Sequence, residues 1–408
     1  MLDPTDPVFA ADPYGAYARL RDTHPVWRWP HDGTYLLTRY ADVHAAWRDR
    51  RFGSDYAGRL DADATRAAEA AEPWRGAGYP RFAAYARWDL IAMEPPDHTK
   101  LRRLVTEAFT SRAIEGQRRR AEAFVVERLA AAASSGGIDV VRDLAEPLSL
   151  TVICDLIGVP ASERERVLAL SHRVVQMYEP GATDAQRADA DRAVGEFEAV
   201  VRALIAHRRR RPGNDLLSGL LDALVDGERL SDAQVSSVAM LLLMAGHEAS
   251  VSAAANAVAA LAAHPAEWAA LRSGAVGTAV AAEEVLRWDP PLQLFRRWVL
   301  EEGVEIAGVA IPRGARIGLL IGSANRDPRR FPEPDVFRIA RGDAAHLAFG
   351  GGIHFCLGAP LARLELQALL DVLVARVPEL ALGEGVRRRP GFQFRGYAAL
   401  PLRLSRSA

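Results

Sequence analysis

The stretch that decides the fold is Phe349-Gly350-Gly351-Gly352-Ile353-His354-Phe355-Cys356-Leu357-Gly358-Ala359-Pro360. It carries one of only two cysteines, and four glycines crowd around it. Glycine admits backbone angles and close approaches that a side chain blocks, so three in succession predict a tight loop pressed against something flat or bulky. Beyond Pro360, Leu361, Leu364, Leu366, Leu369, Leu370, Leu373 and Val377 recur at helical spacing. Pro360 suits the first turn of that helix, where its missing N–H is no loss. Cys356 therefore precedes a helix N-terminus, where unpaired N–H groups and the helix dipole favour a thiolate. Three roles are open to it: a small buried hydrophobe, a nucleophile with His354 as its base, or a metal ligand. The bare glycine loop favours ligation, and no second cysteine lies at zinc-site spacing.

The pattern Phe349-x-x-Gly352-x-His354-x-Cys356-x-Gly358 resembles the haem-binding loop of the cytochrome P-450 family. The resemblance implies a mainly α fold with small β-sheets, a long central helix over the haem and the cysteine loop beneath it. It implies haem b as cofactor, Cys356 as the iron ligand, and Phe349 and Gly358 as parts of the cofactor-binding loop. The markers run from residue 94 to beyond residue 358 with no linker between them, so residues 1–408 read as one domain.

Bulk properties agree. Hydrophobic residues make up 49% and charged residues 25%, ordinary for a globular protein. A net charge of −1 gives no general attraction to nucleic acid or an anionic membrane. Lys100 is the only lysine, which reads as coding bias. Two cysteines argue against a disulfide framework, and Cys154, inside apolar Leu148–Ile157, reads as packing. Met1–Pro7 lacks the basic and apolar regions of a secretory signal. No uncharged apolar run of about 18 residues predicts a membrane span. The expectation is a cytoplasmic monomer of the soluble bacterial kind, without a membrane anchor.

Along the chain, helices are expected at 12–24 and 41–51, flanking strands Val26–Trp29 and Thr34–Thr38 joined at His31-Asp32-Gly33. Residues 53–90 are aromatic with weak periodicity and read as an irregular stretch, which the resemblance makes a substrate-covering loop. Helices follow at 115–134 and 143–158. Residues 161–211 read as two helices broken near Glu179-Pro180-Gly181, the family's mobile lid. Arg208–Arg211 reads as a solvated helix end. Ser231-Asp232-Ala233-Gln234 is a capping box opening a long apolar helix to Ala263. Strands Leu292–Val299, Val304–Ile311 and Ala315–Ile321 follow, and Phe392–Leu404 reads as a hairpin whose Arg395-Gly396-Tyr397 borders the pocket.

Several side chains stand out for chemistry. His98 and Arg102 share one face of the helix that opens after Glu94-Pro95-Pro96. By themselves they read as a solvated basic face, whereas the resemblance sets them against the haem propionates. It assigns the same role to Arg297, with neighbouring Arg296 leaving the register open, and to His354. Inside the central helix lies Ala245-Gly246-His247-Glu248-Ala249-Ser250. Glycine there costs ~1 kcal/mol, and a buried Glu costs more unless paired. Such a pair reads either as close helix packing with a Glu reaching solvent, or as an oxygen-activation groove.

Family members place an acid and then Thr at this point, the Thr hydroxyl helping to deliver protons. Here Glu248 is present but Ala249 replaces the Thr, and Ser250 points about 100° away around the helix. The resemblance thus implies Glu248, Ala249 and Ser250 as the catalytic stretch. The favoured expectation is hydroxylation of a small oxygenated, natural-product-like molecule by one oxygen atom from O2, a substrate hydroxyl or a water completing proton delivery. Oxidative coupling or dehydrogenation, or a haem-thiolate binding protein without turnover, are the alternatives. Electrons are expected from NAD(P)H through a ferredoxin reductase and a ferredoxin, with Arg103 and Arg363 contributing to the docking face. Glu284 and Arg287 are i,i+3 partners, and with Arg341 the resemblance makes them a structural lock.

Overall fold

The computed structural model describes residues 2–3, 6–75, 78–109, 114–179, 182–225 and 227–404. Its axis is the helix Asp232–Ala263. Ser231 Oγ accepts from the Gln234 amide at 3.3 Å while Gln234 Oε1 accepts from the Ser231 amide at 2.9 Å, so the predicted capping box is formed. This helix is long and apolar enough to cross a membrane, which the sequence had not suggested, but it lies mostly buried. Against it pack Glu146–Ile157, Asp184–Arg210 and Ala359–Arg376. A Cβ on Gly246 would sit 2.7 Å from Ile153 Cγ1, so that glycine answers to close packing of two helices.

The lid region consists of Ala161–Val175, a short 3-10 turn Gln176–Tyr178, and Asp184–Arg210, whose start is a second capping box made by Thr183 and Gln186. Pro180 and Gly181, the expected break, lie outside the described residues. Arg209, Arg210 and Arg211 are exposed at the helix end as expected, but Arg208 is not a solvated residue. Its Nε donates to Asp215 at 2.6 Å and its Nη2 to the Gly158 carbonyl at 2.9 Å, tying the helix end to the start of Leu216–Asp222 and the end of Glu146–Ile157.

A five-stranded sheet flanks the helices in the order Val26–Arg28, Tyr35–Leu37, Arg316–Leu320, Leu294–Val299, Phe52–Gly53. Only Tyr35–Leu37 and Arg316–Leu320 pair in parallel. Two expectations fail. Residues 53–90 hold helices Ala62–Ala71 and Pro80–Ala86. Alanine content and an Asp61 cap onto the Ala64 amide at 2.8 Å outweigh the weak periodicity. Phe392–Leu404 is not a hairpin either: Tyr397–Ala399 pairs with Arg387–Arg388, while Pro401–Arg403 lies between Ala381–Leu382 and Gly137–Asp139. Only Leu400 separates the two strands, too short a connection for them to fold back on each other.

Candidate active site

The glycine run is pressed against Trp47. A Cβ on Gly351 would lie 3.1 Å from Trp47 Cβ, and one on Gly352, at φ +61°, would lie 2.1 Å from the Trp47 carbonyl oxygen. The bulky object behind the loop is therefore protein. Beyond it, the Cys356 amide donates to the Phe349 carbonyl at 2.9 Å, closing the loop just ahead of helix Ala359–Arg376. Cys356 keeps an exposed surface, yet the protein packed around its sulfur raises the thiol pKa overall. The Gly358 and Ala359 amides and Arg102 pull it down without prevailing. The expected thiolate preference of the helix start is thus real in sign but outweighed by burial. A bound cation is what would hold the sulfur as thiolate.

Beside the loop, cationic and hydrogen-bonding groups converge from four segments. Arg102 Nη2 donates to the Phe355 carbonyl at 2.5 Å. The His98 and His354 rings lie 4.5 Å apart. Arg297 donates to Ser54 Oγ and stacks over Trp47 and Phe295, at 4.9 and 4.4 Å from the ring centres. Alternation along the strand separates the two arginines: Arg296 turns the other way, toward Asp32 at 3.6 Å. Burial lowers Arg297 to about 10 and, with the charges of neighbouring His354 and Arg102, lowers His98 to about 4. Both His98 nitrogens, His354 Nε2 and Arg297 Nη2 are buried without a partner among the described residues. Buried donors are rarely left so.

One acid joins them, and no motif marks it. Glu94 Oε1 accepts from the Ser54 amide at 2.6 Å and stands 3.7 Å from His354 Nε2. Burial would raise its carboxyl, but His354, the Ser54 amide and Arg297 hold it below its ordinary value. Several basic groups facing a single acid match a ligand with two carboxylates, which is what haem propionates are. The residues present fit that group.

From Val235 to Leu261 the central helix is buried except at Ala245, Gly246, Ala249, Ser250 and Val251. Ala245 and Ala249 are one turn apart, so this is one open face. Glu248, three residues after Ala245, borders that face, but its side chain is buried among other partners. Arg389 donates to its Oε2, and His172 and His247 stand 3.6 and 3.7 Å from its Oε1. Glu248 therefore neither reaches solvent nor lies on the open face. The carboxyl that meets Ser250 is Glu365, on the helix following the Cys356 loop. Ser149 Oγ lies 2.8 Å from Glu365 Oε2 and donates its one proton to the Gly246 carbonyl at 3.3 Å, so that the protonated Glu365 carboxyl can donate to it. Complete burial raises Glu365 to about 8, with Ser149 and Ser250 lowering it only partly. The sole sequence signal for Glu365 is a charge on the apolar face of a helix.

Glu284, Arg287 and Arg341 come together. Arg287 donates to both Glu284 oxygens at 2.7 and 2.9 Å, and Arg341 Nε lies 3.1 Å from Oε2. Arg287 also caps the carbonyls of Asn325 and Pro334, both at 2.9 Å, in the segment leading to the Cys356 loop. Arg363 is not a free docking cation: it pairs with both oxygens of Glu283 at 2.7 and 2.8 Å and covers Phe349. Burial alone would raise Glu283, yet Arg363 and His346 hold it at about 2. Arg395 is likewise an anchor, bound to Asp289 at 2.7 Å and to the Ala10 and Ala11 carbonyls.

A long central helix with one open face, above a cysteine loop and a basic cradle, defines a haem-thiolate class of protein. The family model for cytochrome P450 matches residues 69–274 and 278–377. The chain is similar to 6-deoxyerythronolide B hydroxylase of Saccharopolyspora erythraea, 38% identical with 97% of each chain covered. It is also similar to cytochrome P450 monooxygenase PikC of Streptomyces venezuelae, 38% identical over 98% of this chain and 92% of that one. Among solved structures, PksS, the cytochrome P450 of the bacillaene polyketide synthase of Bacillus subtilis, superposes with a TM-score of 0.88 at 32% identity. That superposition covers 99% of this chain and 100% of that one. The chain belongs to the cytochrome P450 family and is a monooxygenase-type oxidoreductase; a haem-thiolate protein without turnover is set aside.

Proposed function

We propose that this enzyme hydroxylates a polyketide-like, oxygen-rich small molecule, with Cys356 as axial ligand of haem b and electrons passed from NAD(P)H through a ferredoxin reductase and a ferredoxin. The carrying observation is the set of buried donors on His98, His354 and Arg297 that have no partner among the described residues, beside exposed Cys356. His98, Arg102, Arg297 and His354 would hold the propionates, and the loop from Phe349 to Gly358 would carry the sulfur. When bound, the haem supplies oxygen activation, its thiolate ligand favouring O–O cleavage.

The chain's own contribution is to hold a proton near the open helix face. Ala249 offers no hydroxyl. Glu365, protonated at neutral pH because of its burial, is the acid in reserve, linked to the central helix through Ser149 and Ser250. A substrate hydroxyl or a water on the Ala245–Ala249 face completes the transfer. Glu248, turned away and paired with Arg389, sets charge on the lid side instead. The natural-product class rests on the relatives' names, and a face made of exposed Ala245 and half-buried Ala249 agrees with a bulky substrate.

The reduced carbon monoxide difference spectrum tests this. Wild type is expected to give the red-shifted thiolate band and Cys356→Ser to lose it. A macrolactone panel should shift the resting spectrum. Absence of the thiolate band in wild type would overturn the assignment of Cys356.

A further inference from the structure

We propose that His172, His247 and Glu248 form a binding site for a divalent transition cation, Zn2+ fitting best, between the lid and the central helix. His172 Nε2, His247 Nε2 and a Glu248 carboxylate oxygen all lie within 4.8 Å of one another. Glu248 Oε1 is 3.6 Å from His172 Nε2 and 3.7 Å from His247 Nε2. Around tetrahedral zinc, bonds of about 2.0–2.2 Å place ligand atoms about 3.3–3.5 Å apart. The two imidazole–carboxylate spacings need to close by only a few tenths of an ångström, and the spacing between the imidazoles, within 4.8 Å, by at most about 1.5 Å.

The protonation pattern is that of a ligand set. His247 Nδ1 lies 3.0 Å from the Leu243 carbonyl. A carbonyl only accepts, so the proton sits on Nδ1 and Nε2 presents a lone pair. That arrangement, with the far nitrogen donating to a backbone carbonyl, is the usual support for a metal-binding imidazole. His247 Nε2 is buried and unpartnered among the described residues, and so is Glu248 Oε1. Their side chains are 1% and 5% exposed. Two buried acceptors facing each other need a shared proton donor or cation, and His172 Nε2, at 3.6 Å from Oε1, stands beyond hydrogen-bond distance. Arg389 does not supply it, because it takes the other oxygen, Oε2.

A second carboxylate flanks the site on the lid side, leaving the fourth position to solvent. Glu146 Oε1 stands 3.4 Å from His172 Nε2. The donors thus come from two helices, His172 near the end of Ala161–Val175 and the pair on Asp232–Ala263, with Glu146 of Glu146–Ile157 beside His172. Two imidazoles and carboxylates select zinc-like ions over calcium or magnesium, which take oxygen ligands. A bound ion would fasten the first lid helix to the central helix. The site does not depend on how Cys356 is used.

The test uses the haem-loaded enzyme, dialysed against chelator and titrated calorimetrically with ZnCl2. One equivalent of zinc per chain is expected. In His172→Ala, whose side chain is half-exposed and tolerant of change, affinity should fall at least about 100-fold, the upper range for losing even an outer partner. His44→Ala, on a separate helix, should bind as wild type does. Zinc-edge absorption should report nitrogen and oxygen neighbours. No stoichiometric binding, equal binding by His172→Ala, or a sulfur neighbour to zinc would each overturn the proposal.

Discussion

Glu365 and Glu248 show how little a residue's charge says about its task until its surroundings are known. Both are buried acids on apolar helices. Glu248 sits beside Arg389, and its carboxyl is held below the ordinary range despite burial. Glu365 has only hydroxyl partners, and burial takes it up to about 8 from 4.5. The folded state therefore binds that proton more tightly than the unfolded chain does. Its stabilising contribution is complete below about pH 4.5, declines as pH rises, and is gone above about pH 8. Glu365→Gln should consequently melt higher than wild type at pH 8–9, the difference vanishing near pH 4.5. Gln cannot yield a proton, so product formation should fall on the order of 10²-fold while the substrate-induced spectral shift persists. Unchanged turnover would remove Glu365 from proton delivery.

At the scale of elements, the central helix meets Glu146–Ile157 closely enough that Gly246 has no room for a methyl group. Ser149, one turn before Ile153, hydrogen-bonds the Gly246 carbonyl across the same seam. Gly246→Ala should destabilise by about 1–3 kcal/mol through overpacking, against an intrinsic helix preference that would favour Ala. Removing the obstructing side chain with Ile153→Ala should recover part of this in the double variant. Urea midpoints of the four proteins give the coupling. Additive losses would mean that Ile153 is not what the added methyl meets.

For the whole molecule, the trio Glu284, Arg287 and Arg341 is the tie between helix Thr278–Trp288 and the irregular segment that delivers the Cys356 loop. Glu284 also accepts from the Arg338 amide at 2.9 Å, so one carboxylate organises two guanidiniums and a turn. Replacing it with neutral Gln leaves two buried cations short of their anion. We expect Glu284→Gln to lose about 3–5 kcal/mol of stability and to release haem at lower urea than wild type. A loss below ~1 kcal/mol would show that the carbonyls around Arg287 suffice. Among the described residues the trio makes no hydrogen bond to Cys356 or to the basic cradle, so carbon monoxide binding by the fraction that keeps haem should be unaltered.

Local pattern accounts for much of what was legible. The Ser231 cap, the apolar run to Ala263, the break before residue 184 and the Phe349–Gly358 spacing are properties of neighbouring residues, which sequence records directly. The glycine run also announced a close approach, but Trp47, some 300 residues earlier, supplies the surface. Pairing across the fold lies beyond sequence. Strand Pro401–Arg403 joins Gly137–Asp139 rather than its neighbour, Arg363 is claimed by Glu283, and Arg297 rather than Arg296 faces the loop. Burial is a tertiary quantity too, and it decides protonation. It outweighs the helix start at Cys356, makes Glu365 an acid at neutral pH, and turns Glu248 with His172 and His247 into a separate site. Sequence fixes which groups are available; the dielectric and partners that packing builds around them decide what they do.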